Sequence, residues 1–390
     1  MIDNNEYNFE EKVDRKNTNC AKWDGLDKYF GYEDLNPLWV ADMDFKTPSF
    51  INDAIIKAAN NSIYGYSIVS DELLNSIVSW QKNQHNWEIN KEEIFMTNGV
   101  VPSYSACIEA FSDIGDEVIV QTPIYPPLYK CVTQNNRKVV VNELKNDNGY
   151  YSMDFEDLKS KITNKTKILA LCSPHNPVGR VWNKEELKQL AQICIDNNII
   201  IIADEIHSDI TFKKFTPIAS INEEIANQTL TLNSAGKTFN IAGLNTSYAI
   251  SKNLSILGKF KKEAIKREIN SVNFFGLIAT QAAYENGANF VKQLNEYLKL
   301  NIEFAKNYLE KNNSKIKFYI PEATYLLWLD FKNTNLSHNE IKNKLLTKAK
   351  VALNDGVSFG SNGNNHFRLN VAVNQNALEI ALNQMLKEFK

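Results

Sequence analysis

The chain has 390 residues, 43% of them hydrophobic and 23% charged, and carries a net charge of −3. That length exceeds one ordinary core and predicts two or three domains in a soluble globular protein. The charge balance excludes bulk attraction to nucleic acid or to an anionic membrane, and the longest apolar run near the middle, residues 199–203, is far too short to span a bilayer.

The opening stretch MIDNNEYNFEEKVDRK is polar and acidic and lacks the apolar centre of a secretion signal, which predicts a cytoplasmic location. Few helical patterns occur before residue 50; beyond it, strand and helix signals alternate. Strand-like runs are EIFMT (93–97), DEVIVQ (116–121), KVVVNEL (138–144), KILALC (167–172), NIIIIA (198–203) and TLTLN (229–233). Apolar residues at helical spacing lie between several of them, over 103–111, 154–161 and 184–196. The alternation predicts an α/β fold, a largely parallel sheet with helices on both faces, and the apolar character of 198–203 predicts a central strand buried on both sides. The basic run KFKKEAIKRE (259–268) reads as the solvated face of a helix, since Glu263 and Glu268 interrupt it. After about residue 287 the pattern changes to one long amphipathic helix with Val291, Leu294, Leu298, Ile302 and Leu309 on a stripe. Three strand-like segments follow (KIKFYI, TYLLWLDF and HFRLNVAV), with helices near 338–349 and 374–388. These changes predict a large domain over 53–286 and a smaller α+β domain assembled from 1–52 and 287–390.

The five cysteines, Cys20, Cys107, Cys131, Cys172 and Cys194, form no C-x-x-C pair, and their odd number argues for free thiols. The five histidines form no H-x-x-x-H pattern, so no metal site is expected.

Parallel sheets bind ligands beyond the carboxyl ends of their strands, so the residues after each strand carry the functional signal. After EIFMT, Gly99 permits a tight turn into a helix whose free N–H groups suit a phosphate. After DEVIVQ, prolines at 123, 126 and 127 stiffen the loop and hold Tyr125, whose ring can stack on a planar heterocycle or simply pack. After KILALC, the turn SPHNPVGR gives the amide of Asn176 a defined direction and is closed by Gly179. Asp204 ends the most apolar strand, where an acid needs a cationic or hydrogen-bonding partner. Lys237 follows TLTLN in the loop SAGKTFNIAGL. A lone lysine is ordinarily a solvated charge, but here an aromatic, an amide, a carboxylate, a lysine and a phosphate-ready helix start all fall where one sheet would gather them.

Pyridoxal 5'-phosphate calls for this set. Its aldehyde condenses with a neutral lysine amine, its ring nitrogen needs an acid to stay protonated, and its phenolic oxygen accepts from an amide. Its phosphate suits a helix N-terminus and a hydroxyl such as that of Ser234.

SPHNPVGR, ADEIHSD and SAGKTFNIAGL resemble the motifs of the class I/II aminotransferases, which have fold type I of the pyridoxal-phosphate enzymes. AKWDG (21–25), PLWVADMDF (37–45) and YGY (64–66) resemble, more narrowly, the MalY/PatB-type cystathionine β-lyases. The resemblance covers nearly the whole chain. It implies a mostly parallel seven-stranded sheet in the large domain and a homodimer with shared active sites. Lys237 would bind the cofactor covalently and serve as catalytic base. Asp204 would pair with the pyridine nitrogen, Asn176 would contact the phenolic oxygen, and Tyr125 would stack on the ring and take part in catalysis. Gly99, Val100, Val101 and Ser234 would hold the phosphate, and Tyr64 would reach the cofactor and substrate of a neighbouring subunit. Arg368 would grip the substrate carboxylate, beside Ala41; on sequence alone it is a charged strand residue expected at the surface. Asn245 stands where many aminotransferases carry a phosphate-binding arginine, a departure that the lyase branch shares. His207 stands where many carry a tyrosine, and structural support or cofactor contact are both open to it. The implied reaction is α,β-elimination on cystathionine or another cysteine S-conjugate. The alternatives are an aminotransferase using the same groups and a non-enzymatic regulatory protein on the same fold.

Overall fold

The computed structural model describes residues 7–389, so Lys390 and the first six residues of the polar N-terminal stretch lie outside it. Seven strands form the main sheet: β1 (Ile94–Thr97), β2 (Glu117–Val120), β3 (Lys138–Val141), β4 (Thr166–Cys172), β5 (Ile200–Asp204), β6 (Thr229–Asn233) and β7 (Ser247–Ile250). Their spatial order is β1-β7-β6-β5-β4-β2-β3. All neighbours are parallel except β7, which runs antiparallel to both β1 and β6. β7 is not among the runs singled out above: SYAI is four residues long and its Ser and Tyr break the apolar texture.

The period-2 alternation of side chains explains the continuous apolar runs. Ile119, Leu169, Leu171, Ile201 and Ala203 bury against the helix Lys184–Asp196 on one face. Val118, Val120, Ile168, Ala170, Ile202 and Leu230 bury on the other, against Val100–Phe111 and Leu254–Lys266. That last helix carries the basic run, with Phe260 and Ala264 inward and its lysines toward solvent.

The long helix forms as Ala288–Lys311, and all five residues of the expected stripe are buried. It packs in the same core as a three-stranded antiparallel sheet of β8 (Leu326–Asp330), β9 (Asn354–Asp355) and β10 (His366–Asn370), in the order β8-β10-β9. The opening residues join this part: Asn36–Pro37 pairs in parallel with Val351–Ala352. KIKFYI does not form the expected strand. Lys317 and Asp330 exchange one pair of backbone hydrogen bonds (2.9 and 2.7 Å), after which Pro321, lacking an N–H, ends the approach. The cysteines are free, four buried and Cys20 half-buried. Among the described residues no helix is long and apolar enough to cross a membrane.

Candidate active site

Strand register brings the scattered motifs to one edge of the sheet. Cys172, at the end of β4, is level with Asp204 on β5, and Asp204 is level with Leu232 on β6. The loops carrying Asn176 and Lys237 therefore leave the sheet at the same height as Asp204. On β2, Val120 is level with Ala170, so the loop to Tyr125 leaves that edge too. The turn holding Asn176 is compact because Gly179 adopts a left-handed conformation (φ 69°), and a Cβ there would lie 2.4 Å from Pro321.

These ends enclose a cavity of about 310 Å³. Asn176, Asp204, Lys237, Tyr125, Gly99, Val100, Val101, Ser234, His207 and Ala41 all line it, and among the described residues its only charged lining groups are Asp204 and Lys237. A larger cavity of about 790 Å³ lies elsewhere, between Lys213, Lys306, Trp328 and Glu322. Glu322 there is already paired with Lys213 and Arg180, and none of its lining residues has a buried polar atom without a partner. In the smaller cavity the reverse holds: Asn98 Oδ1 and His207 Nδ1 are buried and unpartnered. Buried polar atoms without partners are costly, which marks the smaller cavity as the one shaped for a polar ligand.

Lys237 is half-buried, and its Nζ donates to the Ala41 carbonyl at 2.7 Å. Burial lowers the amine to about 8; Arg368 pushes the same way, while Asp42 and Asp204 oppose it. Burial raises the Asp204 carboxyl to about 6, against the Ile206 N–H and the Lys237 charge. The neighbouring Glu205 is buried as well and raised to about 8, but it accepts from the Ile218 N–H and is not part of the cavity wall. Burial holds His207 down at about 3, with Lys237 and Arg368 adding to the effect, so its ring is neutral. Burial also raises the phenol of Tyr125, the residue that precedes the helix Pro126–Gln134.

Arg368 is 4% exposed, not at the surface. It sits behind Asn176: Nη1 donates to Asn176 Oδ1 (3.0 Å), and Nη2 donates to the Trp39 carbonyl (3.1 Å) and Asn354 Oδ1 (2.5 Å). This occupies the Asn176 oxygen and leaves its Nδ2 as the donor for a ligand. Arg368 Nε is buried without a partner. The Ser234 hydroxyl donates to the Thr246 carbonyl (2.6 Å) and accepts from the Gly236 N–H (3.0 Å), so it must turn before it can donate to an anion. Tyr64 is 65% exposed, in an irregular stretch away from its own chain's cavity.

Sequence reading missed the groups that hold segment 39–45 in place. Asn240, in the lysine loop, accepts from the Met43 N–H (3.0 Å) and donates to the carbonyls of Met43 (2.8 Å) and Phe45 (2.9 Å). Asn370 donates to the carbonyls of Val40 (2.7 Å) and Asp42 (2.5 Å), and the Tyr325 hydroxyl to that of Ala41 (3.0 Å). Asn240 lies inside the SAGKTFNIAGL motif, but Tyr325 and Asn370 read as ordinary strand residues.

The donor set fits pyridoxal phosphate: a half-buried amine kept partly neutral, a buried acid, a free amide donor, and a helix start at Gly99 in the cavity lining. The family model for class I and II aminotransferases matches residues 38–385. Cystathionine beta-lyase PatB of Bacillus subtilis is 36% identical over 97% of this chain and 98% of its own. Protein MalY of Escherichia coli is 32% identical over 96% of each. The crystal structure of the PLP-bound C–S lyase from Staphylococcus hominis superposes with a TM-score of 0.90 at 33% identity, covering 98% of this chain and 97% of that one. With its sheet order, its strand-end site and these full-length likenesses, the chain belongs to the class I and II aminotransferase family.

Proposed function

We propose that the chain is a pyridoxal-phosphate-dependent carbon–sulfur β-lyase. It would cleave cystathionine, or a related cysteine S-conjugate, to a thiol, pyruvate and ammonia; with cystathionine the thiol is homocysteine, a step of methionine biosynthesis. The observation that carries this reading is the half-buried Lys237 amine, lowered to about 8 and lining one cavity with Asp204. Relatives named cystathionine beta-lyase and C–S lyase support it.

When bound, the cofactor supplies an electron sink that acidifies the α-carbon of an attached amino acid. Asp204 is mostly ionised at neutral pH and would hold the proton on the ring nitrogen. Asn176 Nδ2 would donate to the phenolic oxygen, and Tyr125 would cover a ring face. The N–H groups of Gly99, Val100 and Val101 would hold the phosphate with Ser234, once its hydroxyl leaves Thr246. Arg368 Nε, unpartnered and buried, would take the substrate carboxylate beside Ala41. Lys237 Nζ, of which roughly a tenth is neutral at pH 7, would accept the α-proton. The electron pair left on the α-carbon then expels the thiolate from the β-carbon, and the remaining three-carbon fragment hydrolyses to pyruvate and ammonia. In this reading residues 53–286 form the large, cofactor-binding domain, and 1–52 with 287–390 form the small domain.

Purified protein given cystathionine is expected to release pyruvate with no keto acid present. Turnover that requires a keto-acid acceptor would assign an aminotransferase instead.

The proposed enzyme is a homodimer. Ile63, Tyr64, Tyr66 and Ile68 stand exposed together between the helices Ser49–Ala59 and Asp71–His85, an apolar stretch that a second copy would cover. Tyr64 would then reach the phosphate of that copy. Sedimentation velocity is expected to show a dimer, with Tyr64→Phe weakening cofactor retention about tenfold; a fully active monomer would remove Tyr64 from the site.

A further inference from the structure

Segment 39–45 has no regular structure and brings Ala41 to the cavity, and side chains hold its carbonyls in sequence. Arg368 holds Trp39, Asn370 holds Val40 and Asp42, and Asn240 holds Met43 and Phe45. Between them, the Ala41 carbonyl cannot rotate without breaking its neighbours' bonds. It accepts from two groups: Lys237 Nζ at 2.7 Å and the Tyr325 hydroxyl at 3.0 Å.

Tyr325 is itself placed under strain. The residue before it, Thr324, has φ 68°, a left-handed conformation that a β-branched side chain rarely adopts. That turn is held by the Thr324 N–H on the Ile210 carbonyl (2.8 Å) and by the Leu326 N–H on Thr324 Oγ1 (3.2 Å). The Tyr325 ring is fully buried, edge-on to His207 at 6.1 Å between centroids. A strained backbone that delivers one buried hydroxyl to the carbonyl holding the lysine points to a role for that hydroxyl.

We propose that Tyr325 is a positioning residue for the base: by donating to the Ala41 carbonyl it fixes where the Lys237 amine rests when detached and weakens the amine's bond there, so that Lys237 leaves readily for the substrate. This rests on the reading of Lys237 as the base. An acceptor shared by two donors holds each less tightly, and a carbonyl stabilises an ammonium more than a neutral amine. Tyr325 therefore acts in the same direction as burial and as Arg368, and against Asp204 and Asp42, in keeping Lys237 partly neutral. Of the other titratable groups lining the cavity, His207 is neutral throughout the working range, and burial raises the Tyr125 phenol and the Cys172 thiol, so both are uncharged there. The phenol faces Asp42, Arg368 and Tyr125, and burial raises it far above neutrality, so it remains a donor.

The test is the pH dependence of pyridoxal phosphate uptake by the full-length chain stripped of cofactor, followed by absorbance, because capture requires the neutral amine. Tyr325→Phe is expected to move the midpoint up by about half a pH unit, making uptake at pH 7 about threefold slower. The acid limb of the kcat profile should move with it at unchanged KM. A 3-fluorotyrosine installed at position 325 alone keeps the shape and is a stronger donor, so it should move the midpoint down. If both variants retain the parent midpoint, Tyr325 only packs and the proposal falls. Should the phenylalanine variant fail to fold, the fluorinated chain decides alone: an unmoved midpoint overturns the proposal and a lowered one supports it. Because uptake is read without substrate, a chain that shows these shifts yet releases no pyruvate would sink the lyase reading and leave the Tyr325 coupling standing.

Discussion

Lys237→Ala is expected to lower kcat for pyruvate release from cystathionine by at least about 10³-fold, the usual range for losing a positioned proton-transfer group. The cofactor would still bind, through the phosphate and ring contacts, but borohydride would no longer fix it to the chain. The same variant has a second, opposite effect on stability. In the folded chain the Lys237 amine sits at about 8, below its ordinary value of 10.5. Below pH 8 the folded state must therefore carry a partly desolvated ammonium, at a cost of at most roughly 3 kcal/mol. Between pH 8 and 10.5 the unfolded chain holds more of this proton than the folded one, so the parent gains stability as pH rises through that window. Without cofactor, Lys237→Ala is thus expected to be the more stable protein at pH 7, with the advantage disappearing toward pH 10.5; the cavity left by the side chain reduces it somewhat. Urea unfolding at pH 7 and 10 measures both ends. A variant less stable than its parent at pH 7 would mean that the amine is not desolvated, and one that retains its turnover would mean that another group takes the α-proton.

The elements that could be read in the sequence are those whose signal is local. β4 and β5 are short apolar runs buried on two faces, β6 alternates threonine and leucine, and the stripe of the long helix repeats at helical spacing, so pattern alone found them. The positions of Asn176, Asp204 and Lys237 followed from a general property of parallel sheets, because strand register carries their loops to one edge. Other features depend on contacts remote in sequence. Arg368 looked like a surface charge because its acceptors, Trp39, Asn176 and Asn354, come from three distant segments. Tyr325 did not stand out in the strand-like TYLLWLDF because its partner is a backbone carbonyl, which leaves no trace in side-chain chemistry. KIKFYI alternates like a strand, yet the proline after it denies it a ladder. Residues that act through backbone groups become visible only once the chain is folded.

Arg368→Lys is expected to raise KM for cystathionine about 100-fold while changing kcat less than tenfold. The guanidinium has a fork of donors fixed in a plane: two nitrogens hold Asn176, Asn354 and Trp39, and Nε stays unpartnered. A lysine ammonium can satisfy one or two of these acceptors but cannot hold all three and still offer a donor in the same plane. The lost contact to the substrate is a charge-assisted hydrogen bond to a carboxylate, about 2–3 kcal/mol, which corresponds to the stated change in KM. Burial lowers Arg368 only to about 10, so the parent side chain is charged at pH 7 and available for that bond. A substrate analogue that keeps the amine and the thioether but lacks the α-carboxylate separates this role from an indirect one. If Arg368 binds the carboxylate, parent and variant should turn the analogue over at similar, low rates. If it serves only to orient Asn176, the variant should be slower on both compounds, with the deficit in kcat. An unchanged KM for cystathionine in a folded, cofactor-loaded variant would place the carboxylate on another group, and the unpartnered Nε would need a different explanation.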